Sequence, residues 1–116
     1  MPKPVTLVGT SLGGKAALCA AAMQNNAVSK LVMLASSALQ TARSKRVYRW
    51  FELLCTEIDG KHLGELTAPF LFGETFLNEK SGVVDDIIRS TKPDVASRAF
   101  MQAQARALQS FDGQAL

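Results

Sequence analysis

The stretch Val5-Thr6-Leu7-Val8-Gly9-Thr10-Ser11-Leu12-Gly13-Gly14 decides the fold of this chain. Its apolar, β-branched first half predicts a short buried strand, and the alanine-rich segment that follows, Lys15–Met23, predicts a helix. Gly9 and Gly13 stand two residues on either side of Ser11. In so tight a turn, we expect a side chain at either glycine to collide with the neighbouring strand or helix. The stretch therefore predicts a strand and a helix joined by a turn that carries a serine.

The spacing Gly9-x-Ser11-x-Gly13 is the pattern of a serine exposed on a strained strand-to-helix turn. The N–H groups at the start of the following helix favour negative charge that develops beside Ser11. The backbone N–H of Leu12 is the first oxyanion donor expected there. A phosphate-binding loop does not fit, because Gly13 to Ala16 lack the upstream glycine and the hydroxyl after the lysine. The remaining alternative is a glycine-rich turn with no chemistry.

Composition indicates one globular domain, or part of one. The chain has 116 residues, of which 47% are hydrophobic and 20% charged, and its net charge of +3 does not argue for nucleic acid. No signal peptide is evident, and the longest apolar run, Ala16–Met23, is too short to cross a bilayer. Cys19 and Cys55 fall on apolar helix faces, which predicts buried free thiols in a reducing cytoplasm. We expect no metal and no cofactor.

The pattern of the chain changes after the second strand. Lys30–Ala35 predicts a fully apolar strand, and strand, helix and strand within residues 1–38 predict a right-handed parallel βαβ unit. Residues 39–116 are predicted to be mostly helical, beginning with a helix whose apolar stripe contains Val47, Trp50, Phe51, Leu54 and Ile58. The predicted fold class is therefore α/β, with one parallel βαβ unit before a helical region.

Turn residues predict where the later helices begin and end. Asp59-Gly60 is expected to close the first of them, and Ala68–Gly73 is expected to form an aromatic-rich bend. The last helix is expected to start at Thr91, with Pro93 in its first turn and Asp94 completing the start signal.

In three of these segments the chain resembles the α/β-hydrolase superfamily, in particular helical-capped members such as the 3-oxoadipate enol-lactone hydrolase group. The resemblance is carried by Leu7–Gly14, Val28–Ser37 and Ala68–Leu77. It implies a partial α/β-hydrolase fold with residues 39–116 as a cap-like region. It also implies a nucleophile elbow with Ser11 as the nucleophile, Leu12 as the oxyanion donor and three turn glycines, namely Gly9, Gly13 and Gly14. Such an enzyme acts on a carboxylic ester, lactone or thioester.

Several parts of such an enzyme have no counterpart in these residues. Family members carry a His-Gly loop before the elbow, and a catalytic acid and histidine after the cap. The one histidine, His62, lies in the helical region, and Asp112 is more simply a helix-terminating residue than the catalytic acid. A serine without a base is a weak nucleophile. We therefore expect a central fragment that is inactive or nearly so alone, the alternative being a truncated, non-catalytic binding or interaction module.

Other residues have both a functional and a structural interpretation. Ser36 and Ser37 follow the second strand, where a pocket-lining role and a plain turn are both open. Trp50 and Phe72 are candidates for lining an apolar pocket, although aromatic residues at helical spacing favour a core role. A basic cluster near one helix start favours a solvated face over a nucleic-acid site; its members are Arg43, Lys45, Arg46 and Arg49.

The two predicted strands raise the question of what covers them. Two parallel strands with open faces and edges cannot bury their apolar surface on one helix alone. Either the helical region folds over the sheet or a second copy pairs with it. We expect a homo-oligomer, with a small ester-like molecule as substrate if catalytic partners are supplied, and neither nucleic acid nor a membrane as partner.

Overall fold

The computed structural model describes residues 3–24 and 26–116, and the chain has a mixed α/β fold. Its elements in chain order are strand β1 (Val5–Thr10), helix α1 (Leu12–Met23), strand β2 (Val28–Leu34), helices α2 (Ala42–Glu57), α3 (Gly60–Leu71), α4 (Glu74–Glu79), α5 (Ser81–Ser90) and α6 (Val95–Ser110), and a final 3-10 turn (Gly113–Ala115). The predicted α/β class and the parallel strand–helix–strand start are confirmed.

The chain forms two compact units, each described here by itself. The first, which we call the elbow unit, comprises Met1–Val47 together with Ala107–Leu116. The second, the helical unit, comprises Tyr48–Arg106. The elbow unit contains all of the segment 1–38 that the sequence predicts as the βαβ piece.

A two-stranded parallel sheet with helix α1 beside it forms the centre of the elbow unit. In its register Leu7 lies opposite Leu31 and Val8 opposite Val32. Because side chains alternate along a strand, Leu7 and Leu31 are half-buried whereas Val8 and Val32 are exposed. Helix α1 contacts both strands. One face of the sheet is therefore covered and the opposite face is open in this unit.

The end of the chain returns to the elbow unit. The Gln40 side-chain amide donates to the Leu108 carbonyl at 2.7 Å. A Cβ at Gly113 would lie only 2.2 Å from the Ala38 carbonyl oxygen, so this glycine allows two backbone segments to touch. The last residues are thereby fixed to the segment that follows β2.

The helical unit contains the apolar core among the described residues. Its buried apolar side chains come from four helices and are Leu54 and Cys55 of α2, Leu63 and Ala68 of α3, Val84 of α5, and Ala105 of α6. Cys55 is fully enclosed, at 0% exposure, and Cys19 of the elbow unit is half-buried; both are free thiols. The prediction of a buried thiol thus holds for Cys55 and is too strong for Cys19.

One predicted helix break is confirmed and another lies later than expected. Helix α2 ends at Glu57, just before Asp59-Gly60, and the Asp59 carboxylate accepts from the Lys61 N–H at 3.1 Å, so it also caps the start of α3. Helix α3 continues through Pro69 to Leu71, so that only Phe72 and Gly73 of the predicted bend lie outside a helix. A proline inside a helix forfeits one backbone hydrogen bond; the residue that follows it, Phe70, packs its ring on Trp50.

The start of α6 lies later than the sequence predicts. The N–H of Thr91 donates to the Ile87 carbonyl at 2.9 Å, so Thr91 closes α5. Asp94 is the residue that caps α6, because its carboxylate accepts from the Ser97 N–H at 2.7 Å. Pro93 therefore precedes the helix rather than lying in its first turn. Within the described ranges, no helix is both long enough and apolar enough to cross a membrane.

Candidate functional site: the serine turn

Ser11 has an unusual backbone conformation, with φ 53° and ψ −121°, between the end of β1 and the start of α1. A positive φ is uncommon for a residue with a side chain and costs on the order of 1–3 kcal/mol. The Ser11 N–H continues the strand pairing by donating to the Leu34 carbonyl at 2.9 Å. The serine is exposed and its side chain makes no capping hydrogen bond to α1. The turn thus holds an accessible hydroxyl on strained backbone.

Gly9 and Gly14 explain how the strand and helix approach so closely. A Cβ at Gly9 would lie 2.2 Å from the carbonyl oxygen of Gly13 and 2.6 Å from the backbone nitrogen of Gly14. A Cβ at Gly14 would lie 2.7 Å from the Ser36 Cβ. Gly13 itself faces open space, with no atom within 4 Å of its would-be Cβ. The expected collision at Gly13 is therefore wrong, since the close contact falls one residue later.

Leu12 is the first residue of α1, as the predicted oxyanion donor must be. An N–H group in the first turn of a helix has no acceptor within the helix. The Gly14 N–H already donates to the Ser11 carbonyl at 3.0 Å. The Leu12 N–H is therefore the helix-terminal donor placed directly after the serine.

The end of β2 carries a second backbone outlier. Ala35 has φ 47°, and among the described residues it and Ser11 are the non-glycine positions with positive φ. Both follow the carboxyl end of a parallel strand, which is the edge where ligands bind in open α/β sheets. The Ser36 hydroxyl beside them is buried and has no hydrogen-bond partner within the described part of the chain. Ser36 lies against Gly14. This position is consistent both with a pocket-lining role and with a plain turn.

Lys15 is a buried cation immediately after the elbow glycines, and its exposed fraction is only 4%. Its Nζ donates to the Ser37 carbonyl at 2.6 Å and lies 4.3 Å from the centre of the Phe111 ring. Burial lowers the pKa of this amine. Sequence reasoning treated Lys15 only as a helix former, because its partners lie 22 or more residues away.

Lys15→Met should change how stability depends on pH. Because the folded pKa of Lys15 lies below its unfolded value, the unfolded chain binds more protons between those two pH values. The free energy of unfolding of the native chain should therefore rise, relative to that of Lys15→Met, as pH increases through the lowered pKa toward 10.5. Urea titrations of both proteins across the alkaline range measure this difference. If the difference in free energy of unfolding between the native chain and Lys15→Met stays constant or falls with pH, the pKa of Lys15 is not lowered in the folded chain.

The two residues considered as catalytic partners belong to elements other than the serine turn. His62 is exposed on α3 in the helical unit, where it lines a 340 Å³ depression with Glu57, Asp59 and Glu65. Since the chain has one histidine, the elbow unit contains none. The Asp112 carboxylate accepts from the Gln114 N–H at 2.9 Å and caps the final 3-10 turn, rather than ending α6.

The remaining candidates have ordinary packing partners. Trp50 packs on Phe70 with ring centres 4.6 Å apart, and Phe72 stacks on Phe76 at 5.4 Å. In the basic cluster, Arg49 forms an ion pair with Glu52 at 2.9 Å, and the three other members are exposed; these are Arg43, Lys45 and Arg46.

Comparison with known proteins finds no family model, no curated protein and no solved structure that matches this chain. Within residues 3–24 and 26–116, no group of three or more histidine, cysteine, aspartate or glutamate side chains is placed to hold a metal ion. The functional interpretation therefore rests on the geometry of the serine turn.

Proposed function

We propose that this chain is part of an α/β-hydrolase-fold serine hydrolase and that Ser11 is its nucleophile. The observation that carries the proposal is the strained conformation of Ser11, φ 53° and ψ −121°. It lies in a strand-to-helix turn so tight that there is no room for a side chain at Gly9. Strain at one exposed polar residue has a cost that the rest of the elbow must offset, and such strain concentrates at functional sites. The substrate class is a carboxylic ester, lactone or thioester.

The proposed reaction begins when the Ser11 hydroxyl oxygen attacks the carbonyl carbon of the substrate. The carbonyl electron pair moves onto oxygen, where the Leu12 N–H and the positive end of α1 stabilise the negative charge. The alcohol or thiol group then leaves with a proton, and water releases the acid from the acylated serine. A base must accept the serine proton in the first step. We propose that this base and its acid partner come from outside these 116 residues. The support for this is that the unit that holds Ser11 contains no histidine and that the one histidine, His62, belongs to the helical unit.

Ser11 should react slowly with a fluorophosphonate probe when the chain is tested alone. Removing a general base commonly lowers the rate by about 10²- to 10⁴-fold, so stoichiometric labelling within minutes at neutral pH is not expected. Because Ser11 is exposed, free imidazole can reach it and take the place of the missing base. Added imidazole should therefore accelerate labelling at Ser11, as read by peptide mass mapping.

Two variants make the labelling test specific. Ser11→Ala should abolish the imidazole-dependent label, whereas Ser37→Ala, an exposed serine of the same unit, should leave it unchanged. Absence of any Ser11 label at high imidazole would contradict the proposed nucleophile. Rapid labelling without imidazole would instead mean that the chain already supplies a base, and would remove the claim that it needs one from outside.

A second candidate function is a non-catalytic module that acts by self-association. Its supporting observation is the open sheet face, on which Val8 is 64% exposed and Leu34 is 51% exposed, with Val32 between them on the paired strand. Burial of apolar area contributes about 25 cal/mol per Å². A second copy that pairs with this face would recover that contribution and would satisfy the open strand edges.

The chain should therefore self-associate at micromolar concentration, and Val8→Lys should shift it toward the monomer by placing a charge on the open face. Val95→Lys is the matched control, since Val95 is also highly exposed but lies on α6. Sedimentation equilibrium measures the mass of each protein. A 12.5 kDa species with cooperative unfolding would exclude the homo-oligomer.

A further inference from the structure

The helical unit contains an apolar cavity of about 180 Å³ that the serine chemistry does not involve. Residues from α2, α3, α6 and the segment before α6 form its wall; they are Phe51, Leu63, Gly64, Thr67, Leu71, Thr91, Pro93 and Met101. Leu63, at 3% exposure, lies deepest, whereas Leu71 and Thr91 are exposed. The cavity therefore runs inward from the surface to the core of the unit.

Two polar groups of this wall make hydrogen bonds within the chain. The Thr67 hydroxyl donates to the Leu63 carbonyl at 2.7 Å, and the Thr91 N–H donates to the Ile87 carbonyl at 2.9 Å. Pro93 has no N–H to offer. An ordered water needs two to four polar partners, whereas five of the eight lining residues have apolar side chains. The interior of the cavity therefore favours an apolar occupant over water.

Size and charge define the class of that occupant. An enclosed apolar cavity of about 150 Å³ holds one benzene molecule, so a surface-open cavity of 180 Å³ has room for a single aromatic ring with a short substituent. None of the eight residues that line the cavity is charged, and burying an unpaired carboxylate there would be costly. We propose that the helical unit has a binding site for a small, uncharged aromatic or branched alkyl group.

Toluene and benzoate, which differ in charge at similar size, test this site. The chain has four methionines, and the Met101 methyl resonance, assigned by its loss in Met101→Leu, reports on the cavity wall. Toluene should shift this resonance to a plateau and raise the thermal midpoint, whereas benzoate should do neither. Neither readout depends on Ser11. A negative toluene result would therefore leave the proposed nucleophile unaffected, and a negative labelling result at Ser11 would leave the proposed binding site unaffected.

A matched pair of methionine substitutions locates the binding to the cavity. Thr67→Met fills it and should weaken toluene binding by about tenfold, equivalent to losing about two buried CH₂ groups. Leu66→Met adds the same side chain at an exposed position of the same helix and should leave affinity unchanged. Met101→Phe is the alternative filling variant if Thr67→Met does not fold, with the thermal midpoint as its readout. A Met101 resonance that does not saturate, equal binding of benzoate, or equal loss in Leu66→Met would overturn the proposal.

Discussion

Gly9→Ala is expected to destabilise the elbow unit by about 3 kcal/mol or more, at or above the upper end of ordinary overpacking. The new Cβ would lie 2.2 Å from the Gly13 carbonyl oxygen, 2.5 Å from its carbonyl carbon and 2.6 Å from the Gly14 nitrogen. All three are backbone atoms, so no side chain can rotate away. Relief requires either β1 to separate from α1 or the Ser11 turn to open.

Gly13→Ala provides the control within the same turn. Its Cβ meets no atom within 4 Å outside the adjacent residues and the backbone of α1, and Gly13 is the second residue of that helix, where alanine is favoured over glycine by up to about 1 kcal/mol. This variant should therefore be neutral or slightly stabilising. Hydrogen exchange of the β1 and α1 amides measures the elbow unit directly, with thermal unfolding as a second readout. Equal effects of the two substitutions would contradict the close approach at Gly9.

Gly9→Ala and Gly13→Ala also distinguish two reasons for a glycine in this turn, namely lack of space for a side chain and the need for a positive φ. Among the described residues no glycine has a positive φ, and the positive φ in the turn belongs to Ser11. Gly9 is therefore required for space rather than for backbone freedom. If Gly9→Ala also removes imidazole-assisted labelling of Ser11 while Gly13→Ala retains it, the same packing supports the proposed reactivity.

The strand-to-helix turn was predictable because its determinants are local. Glycines close to a serine, an apolar run before them and helix formers after them all lie within about twenty residues. The second strand was placed correctly to within two residues at its start and one at its end. The helix boundaries near Pro69 and Thr91 were misplaced by a few residues, because α3 continues to Leu71 and the local cap of α6 is Asp94 rather than Thr91.

The surroundings of the serine were less predictable than the serine itself. Two partners of Lys15 are the Ser37 carbonyl and the Phe111 ring, and no local pattern links residues so far apart in the chain. Ala35 carries no sequence signal for its positive φ, since alanine is not a residue that favours it. The role of Gly13 was misassigned because spacing alone does not say which of two adjacent glycines touches the neighbouring strand.

Arg98→Ala is expected to destabilise the helical unit by about 3 kcal/mol, the combined contribution of two hydrogen bonds from a charged donor. The Arg98 guanidinium donates to the Cys55 carbonyl at 2.9 Å and to the Ile58 carbonyl. These carbonyls lie in the last turn of α2 and directly after it, where no further helical N–H can reach them, and the Gln102 side-chain amide also donates to the Cys55 carbonyl at 3.0 Å. A positive charge at a helix C-terminus adds to the effect.

Arg89→Ala is the matched control, because Arg89 is an exposed helical arginine whose ion pair with Asp86 lies on the surface of α5. Surface pairs of this kind contribute less than about 1 kcal/mol. Urea unfolding followed by the fluorescence of Trp50, the one tryptophan and a residue of the helical unit, compares the two variants. A loss in Arg98→Ala as small as that in Arg89→Ala would rule out a capping role.

A second measurement separates the charge of Arg98 from its packing. Burial raises the pKa of the Cys55 thiol, and the nearby Arg98 charge opposes that rise. Arg98→Ala should therefore raise the pKa of Cys55 further, as followed by thiolate absorbance in a Cys19→Ala background. Arg98→Lys retains a charge but loses the planar fork that reaches two carbonyls. In Arg98→Lys the pKa of Cys55 should therefore stay close to its value in the native chain. The free energy of unfolding should recover only in part, because a single ammonium group cannot cap the end of α2 in the same way.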